Sequence, residues 1–221
     1  MYIDEGEDNF FQNGDGAVLS VFCSPFIEIN GALGQCYPLQ KITSNYYFSK
    51  KEIGFGNTNC WYLGSIDSSK TITIVYEKSK TDKYDEEANI LQFRLNYVDK
   101  TGEKVVKVST VLLEDAYSLN DVSERFNQEA ALLTLCRLYI HKSLYEEKRN
   151  YRLWLDKILL QWASVFANYI KGDERSFSLP AKMKYLPQYL YYFRRTNIFR
   201  REGISLDEHY YHCHILNRES V

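Results

Sequence analysis

The hydrophobic period of this chain changes once, near Tyr117. Before it, apolar residues return at every second position. After it, they return at spacings of three and four. A period of 2 buries one face of a strand, and a period of 3.6 buries one stripe of a helix, so no single element satisfies both. The change therefore predicts two consecutive domains, residues 1–117 built on strands and residues 118–221 built on helices. A chain of 221 residues is long enough for two units of about 100 residues, each with its own core.

The first part opens on "MYIDEGEDNFFQNGDG", acidic and rich in Gly and Asn, which reads as a frayed chain entry. Short β-type runs follow in "AVLSVF" and "FIEING", and "NCWYLGSI" comes after the glycine-bearing turn "EIGFGNTN". "TITIVYEK" alternates strictly, with Ile72, Ile74 and Tyr76 on one face. "KTDKYDEEAN" is a charged loop. "ILQFRLNYV" sets Leu91, Phe93, Leu95 and Tyr97 on one face, "DKTGEK" turns the chain, and "VVKVSTVLL" returns as the second arm of a hairpin. About six strands with polar turns and no intervening helix predict an antiparallel β-sandwich or barrel.

Four helices are expected in the second part. Ser118 or Asn120 can cap the first, which runs to about Glu147. The second covers 150–170 with Leu155, Ile158, Leu159, Trp162, Val165, Phe166 and Tyr169 as its stripe, and Gly172 follows its end. The third starts near Pro187, since proline suits a first helical turn, and closes on Arg194 and Arg195. "SLDE" has capping-box spacing for the fourth. The fold class is thus α+β, an antiparallel sandwich followed by an all-α domain.

The first of these helices is apolar over more than half its circumference. Phe126, Ala130, Leu133, Cys136, Ile140 and Leu144 share one arc, and Leu132, Leu135 and Tyr139 widen it. Such a helix is packed on at least two sides, here by the other helices and the sandwich. Glu129 projects into the arc, so it is expected to be a structural buried acid. It would be paired with Arg152, Arg194 or Arg195, or bonded to free backbone N–H groups, because an unpaired buried carboxylate is too costly to keep. No second acid, His or nucleophile pairs with it by motif, so no catalytic residue is assigned.

Other chemistry finds little support. The chain has no GxxxxGK[ST], GxSxG or HExxH. His209, His212, Cys213 and His214 match no usual zinc spacing and read as a packed helix face, so neither a metal nor a cofactor is expected. Net charge is −2, which gives no argument for nucleic acid, although 1–117 carries −6 and 118–221 carries +4. "FRRTNIFRR" concentrates Arg194, Arg195, Arg200 and Arg201 as a candidate basic contact patch for an acidic partner or anionic lipid. The five scattered cysteines, the lack of CxxC and the lack of an apolar leader or membrane-length run predict a cytoplasmic protein.

Six stretches in order resemble one family. "IEINGALGQC", "EIGFGNTNCWYLGSI", "RFNQEAALLTLCRLYIHK", "RLWLDKILLQWASVFANY", "LPQYLYYFRRTNIF" and "DEHYYHCHILNRES" are similar to the Sec-twenty-three family. Its members are the GTPase-activating inner-shell subunits of the COPII vesicle coat. The resemblance runs from about residue 25 to the C-terminus. It implies a β-sandwich followed by a helical domain. It also implies a structural role in endoplasmic reticulum to Golgi vesicle transport, peripheral on the membrane and on COPII vesicles, in support of a small Sar-family GTPase.

The partners it implies are that GTPase, the cargo-adaptor coat subunit, the outer-coat subunits and an anionic membrane surface. The family's zinc finger, trunk and gelsolin-like domains are not in this sequence. Zinc is therefore expected elsewhere, the catalytic arginine lies outside this chain, and the chain is not itself an enzyme. The family's sandwich is completed by strands from before the trunk, so this one is expected to be short of strands. The cargo-adaptor paralogue shares the layout, and an independent β-sandwich binding protein with a helical cap is the reading from another class.

Overall fold

The computed structural model describes residues 14–40, 51–78, 89–145, 151–199 and 204–218. Most of the acidic chain entry, residues 80–88 of the charged loop, and both Arg200 and Arg201 lie outside the described residues. The remainder forms two compact units, one running to Glu114 and the other starting at Asp115.

The first unit is an antiparallel sandwich. One sheet holds β1 (Gly14–Cys23), β3 (Tyr37–Pro38), β4 (Cys60–Ile66), β6 (Ile90–Asp99) and β7 (Lys104–Leu112), in the order β3-β4-β1-β6-β7. The other pairs β2 (Ile27–Gly34) with β5 (Ile72–Lys78). Residues 14–16, read as part of a loose entry, already belong to β1, where Gly14 faces both Ile66 and Asp99.

Period-2 alternation explains the core. Leu19 and Val21 of β1, Leu91, Leu95 and Tyr97 of β6, and Ile27 and Ile29 of β2 turn inward around Trp61. Trp61 is fully buried, and its indole N–H donates to the Phe55 carbonyl at 3.0 Å. That carbonyl belongs to the glycine-bearing turn, which folds back on the sheet. Phe55 and Ala32 exchange backbone hydrogen bonds of 2.9 and 3.2 Å, so the turn adds a short third rung beside β2. The crossing is so close that a Cβ on Gly31 or Gly54 would strike backbone oxygen, and both glycines have positive φ.

The β6–β7 hairpin forms at the expected glycine turn. Asp99 organises it: Oδ1 accepts from the backbone N–H groups of Thr101 (2.8 Å) and Glu103 (2.9 Å) and from the Thr101 hydroxyl (2.7 Å). The Thr101 hydroxyl, then the turn's backbone N–H groups, hold the carboxyl below the usual aspartate range. A depressed folded value stabilises the turn fully above the ordinary aspartate value. The gain is lost as pH falls through the folded value. Asp99→Asn should flatten this acid step in the pH dependence of the urea midpoint. An unchanged acid step would refute the role.

The second unit holds α1 (Leu119–Arg125), α2 (Gln128–Tyr145), α3 (Tyr151–Phe166), α4 (Leu186–Phe193) and α5 (Leu206–Arg218). The single helix expected from Ser118 to about Glu147 is two. Ser118 caps α1 in a capping box with Asp121. The chain then turns extended at Phe126, and the Asn127 side chain caps a new start by accepting from the Ala130 N–H at 2.9 Å. The helix expected over 150–170 stops at Phe166. The exposed hairpin β8 (Asn168–Ile170) and β9 (Asp173–Ser178) takes its place, with Gly172 at φ +94° in the turn. Pro187 sits in the first turn of α4 as expected, and the Ser205 hydroxyl accepts from the Glu208 N–H at 3.1 Å to start α5.

Candidate interaction site

The helical unit is organised around α2. Its buried residues are Cys136, Arg137, Tyr139 and Ile140. Tyr139 packs edge-on against Tyr151 and Phe193 and stacks on Phe199 with centroids 4.1 Å apart. Its hydroxyl donates to the Ile198 carbonyl at 3.1 Å. Gln128, at the start of α2, accepts from the Tyr185 N–H at 3.0 Å and so ties this end to the start of α4. Burial pushes the Cys136 thiol up to about 12, with the Arg137 charge opposing. This thiol stays protonated and inert.

An open apolar groove of about 1030 Å³ runs along this unit. Phe126 and Leu135 of the α2 region, Leu159 and Trp162 of α3, and Leu186 and Leu190 of α4 line it. Glu129 is the one carboxylate among its lining residues, which include no histidine or cysteine. The groove can bury an apolar segment, and the titratable side chains on its lining are Glu129, Arg125 and Lys182.

Glu129 is not the buried acid that the helix projection suggested. It is exposed, and the partner within reach is the Gln128 side chain at 3.4 Å. The break at Phe126–Asn127 explains the difference, because it places Glu129 in the first turn of a new helix. There a carboxylate faces the positive end of the dipole and water. The three arginines considered for it are engaged elsewhere. Arg152 donates to the Phe199 carbonyl at 3.1 Å, and Arg194 pairs with Asp156 at 2.9 Å. The Arg195 guanidinium lies 3.6 Å above the Tyr191 ring. The basic patch is thus represented here by Arg194 and Arg195 at the C-terminal end of α4, with the Arg194 charge met by Asp156.

The histidine-rich α5 packs inward through Cys213, whose sulfur lies 3.7 Å from His209 Nε2. Burial pushes this thiol up to about 11, while a hydrogen bond with Ser143 pulls the other way. His212 stands 3.7 Å from Glu208 one turn earlier. Among the described residues, no three metal-ligating side chains gather.

Comparison with known proteins follows the same two units. The model of the Sec23/Sec24 β-sandwich domain matches residues 14–114, and that of the Sec23/Sec24 helical domain matches residues 127–221. The chain belongs to the Sec23/Sec24 family. Protein transport protein SEC23 C of Arabidopsis thaliana is 30% identical over 213 residues, and SEC23 F of the same plant is 31% identical over 210. Each comparison covers 92% of this chain but only 28% and 27% of the relative, so the chain spans less than a third of those proteins. Its fold is also similar to the crystal structure of the human COPII-coat protein Sec24c. That likeness has a TM-score of 0.69 at 20% identity, over 95% of this chain and 25% of the other.

Among the described residues of this Sec23/Sec24 helical domain, the charged residue that is buried is Arg137, 1% exposed. At 100° per residue Arg137 falls about 20° from Phe126 and Glu129 about 60° on the other side, so both lie on the apolar arc and spacing alone does not tell them apart. The aliphatic stem of Arg137 lies within the buried part of α2, beside Cys136, Tyr139 and Ile140. Arg137→Ala should destabilise the unit by about 2–4 kcal/mol, and Glu129→Gln by no more than about 0.5 kcal/mol. Urea unfolding followed at 222 nm checks both. Equal losses would contradict the exchange of roles.

Proposed function

We propose that this chain is the sandwich and helical module of an inner-shell COPII coat subunit of the Sec23 kind. Its role is rigid placement, because a unit packed around α2 can hold neighbouring parts of a larger subunit at fixed angles. In that setting it supports activation of a small Sar-family GTPase, with the catalytic arginine supplied from outside this chain and no cofactor used within it. The setting is the cytoplasmic face of endoplasmic reticulum membrane and its vesicles. Partners there are the GTPase, the cargo-adaptor and outer-coat subunits, and anionic lipid, with Arg195 beside Tyr191 a contact for the acidic ones.

The observation that carries this reading is the ordered pair of family domains, sandwich then helices, at 30% and 31% identity to two curated Sec23 proteins. The likeness to a Sec24 structure keeps the cargo-adaptor paralogue as a second reading. At 20% identity it speaks for the fold alone.

Single-turnover GTP hydrolysis by the small coat GTPase is the test. Adding this chain should leave the rate unchanged, whereas a full-length Sec23 should raise it. Acceleration by this chain alone would mean that a catalytic arginine lies within it.

A further inference from the structure

Helix α4 turns Leu186, Leu190 and Phe193 inward, and its outer face has a different composition. Lys184, Gln188, Tyr191, Tyr192 and Arg195 recur there at helical spacing. All five are exposed, Tyr191 by 52% and Tyr192 by 60%. The backbone at Lys184 and Tyr185 already has right-handed helical angles, so the stripe continues through the turn ahead of the helix. The charge around it has one sign. Between Glu174 and Glu202 the sequence carries seven Lys or Arg residues and no Asp or Glu.

The two adjacent arginines at the end of α4 differ. Arg194 sets its charge against Asp156 at 2.9 Å. Arg195 meets no carboxylate among the described residues. Its guanidinium lies 3.6 Å above the Tyr191 ring, and Tyr192 stands edge-on to that ring. Stacking of this kind orients the planar fork and leaves its N–H groups to bind a carboxylate. At the other end Lys184 Nζ lies 5.4 Å from the centre of the Tyr185 ring, again with no carboxylate among the described residues.

Lys184 and Arg195 are eleven positions apart, about 16 Å along the helix axis. A partner helix with acids eleven residues apart carries them on one face at the same spacing. Tyrosine and arginine are the residues that anchor protein interfaces. A lipid patch is a different object, about four to eight clustered cations, whereas this stripe has one cation at each end and tyrosines between. We propose that the outer face of α4 docks an acidic helical segment of a partner protein. One carboxylate meets Arg195, a second meets Lys184, and apolar side chains between them cover Tyr191 and Tyr192. The inference rests on the acidic contact given above to Arg195, but its test reads binding by this chain alone. A failure there overturns the stripe and leaves the GTP hydrolysis result to decide the coat reading.

Fluorescence anisotropy with a stapled helical peptide is that test. The peptide carries glutamates eleven residues apart and two leucines between them on the same face. The full chain should bind it saturably at physiological salt, and should bind the same peptide with glutamines in place of glutamates at least tenfold more weakly. Arg195→Gln should weaken binding at least tenfold. Arg195→Lys should weaken it at least threefold, because the charge stays while the planar fork is lost. Arg175→Gln removes an equal charge from the exposed β8–β9 hairpin and should leave binding within about twofold. All of these side chains are exposed, so each variant should keep the circular dichroism and thermal midpoint of the parent chain. Absence of saturable binding overturns the proposal. So does equal weakening by Arg175→Gln and Arg195→Gln, or Arg195-dependent capture of phosphatidylserine vesicles by a chain that ignores the peptide.

Discussion

Trp61→Ala removes about 3–5 kcal/mol from the sandwich unit. The indole is fully buried and belongs to one core with residues of β1, β2 and β6. Its loss leaves a cavity that the rigid crossing of Gly31 and Gly54 cannot collapse into. It also strips the Phe55 carbonyl of the indole donor that anchors the glycine-bearing turn to the sheet. Against a total stability of about 5–15 kcal/mol for a domain, this is a large fraction. Trp61→Phe keeps most of the volume and should recover more than half of the loss, with the missing hydrogen bond as the remainder. Urea unfolding read by near-ultraviolet circular dichroism of the sandwich aromatics measures both. A loss below about 1 kcal/mol for the alanine variant would show that the core closes without the ring.

Tyr139→Ala has an effect of similar size on the helical unit, about 3–5 kcal/mol. Tyr139 is 3% exposed and meets rings from α3, α4 and the turn at Asn197–Phe199, so one side chain joins three elements to α2. Tyr139→Phe should cost far less, about 1–2 kcal/mol, because only the hydroxyl that satisfies the Ile198 carbonyl is lost. Unfolding followed at 222 nm separates the two variants. Equal costs would place the energy in the hydrogen bond rather than in the rings. Two probes are needed for the whole molecule, since a chain of two units need not unfold as one step.

Much of the sandwich was legible in the sequence because its strands alternate against a single core. Leu91, Leu95 and Tyr97 turn inward together for the same reason that Gln92, Arg94 and Asn96 do not. The helical part was legible as stripes but not as boundaries. The apolar spacing continues across Phe126 and Asn127, so periodicity alone reports one helix where a side-chain cap starts a second. That break leaves Glu129 in an exposed first turn, ahead of the buried residues of α2. Arg137 lies on the same arc, and its place beside Cys136, Tyr139 and Ile140 in the middle of the helix, not its angle, is what buries it. The β8–β9 hairpin left no signal because its residues are short-range and mostly exposed, with no core face to impose a period. The pairing of Phe55 with Ala32 was likewise hidden. It depends on two glycines distant in sequence that let one backbone pass close to another.

The groove beside α2 and the engaged arginines at the end of α4 describe a unit suited to holding and being held. The most direct measurement of that role is an exchange of parts. Residues 14–217 of this chain would replace the equivalent sandwich and helical segment of Arabidopsis thaliana SEC23 C. The product would be assayed for stimulation of GTP hydrolysis by its coat GTPase. The account predicts stimulation within a few-fold of the unaltered protein. A folded chimera with no stimulation would contradict it.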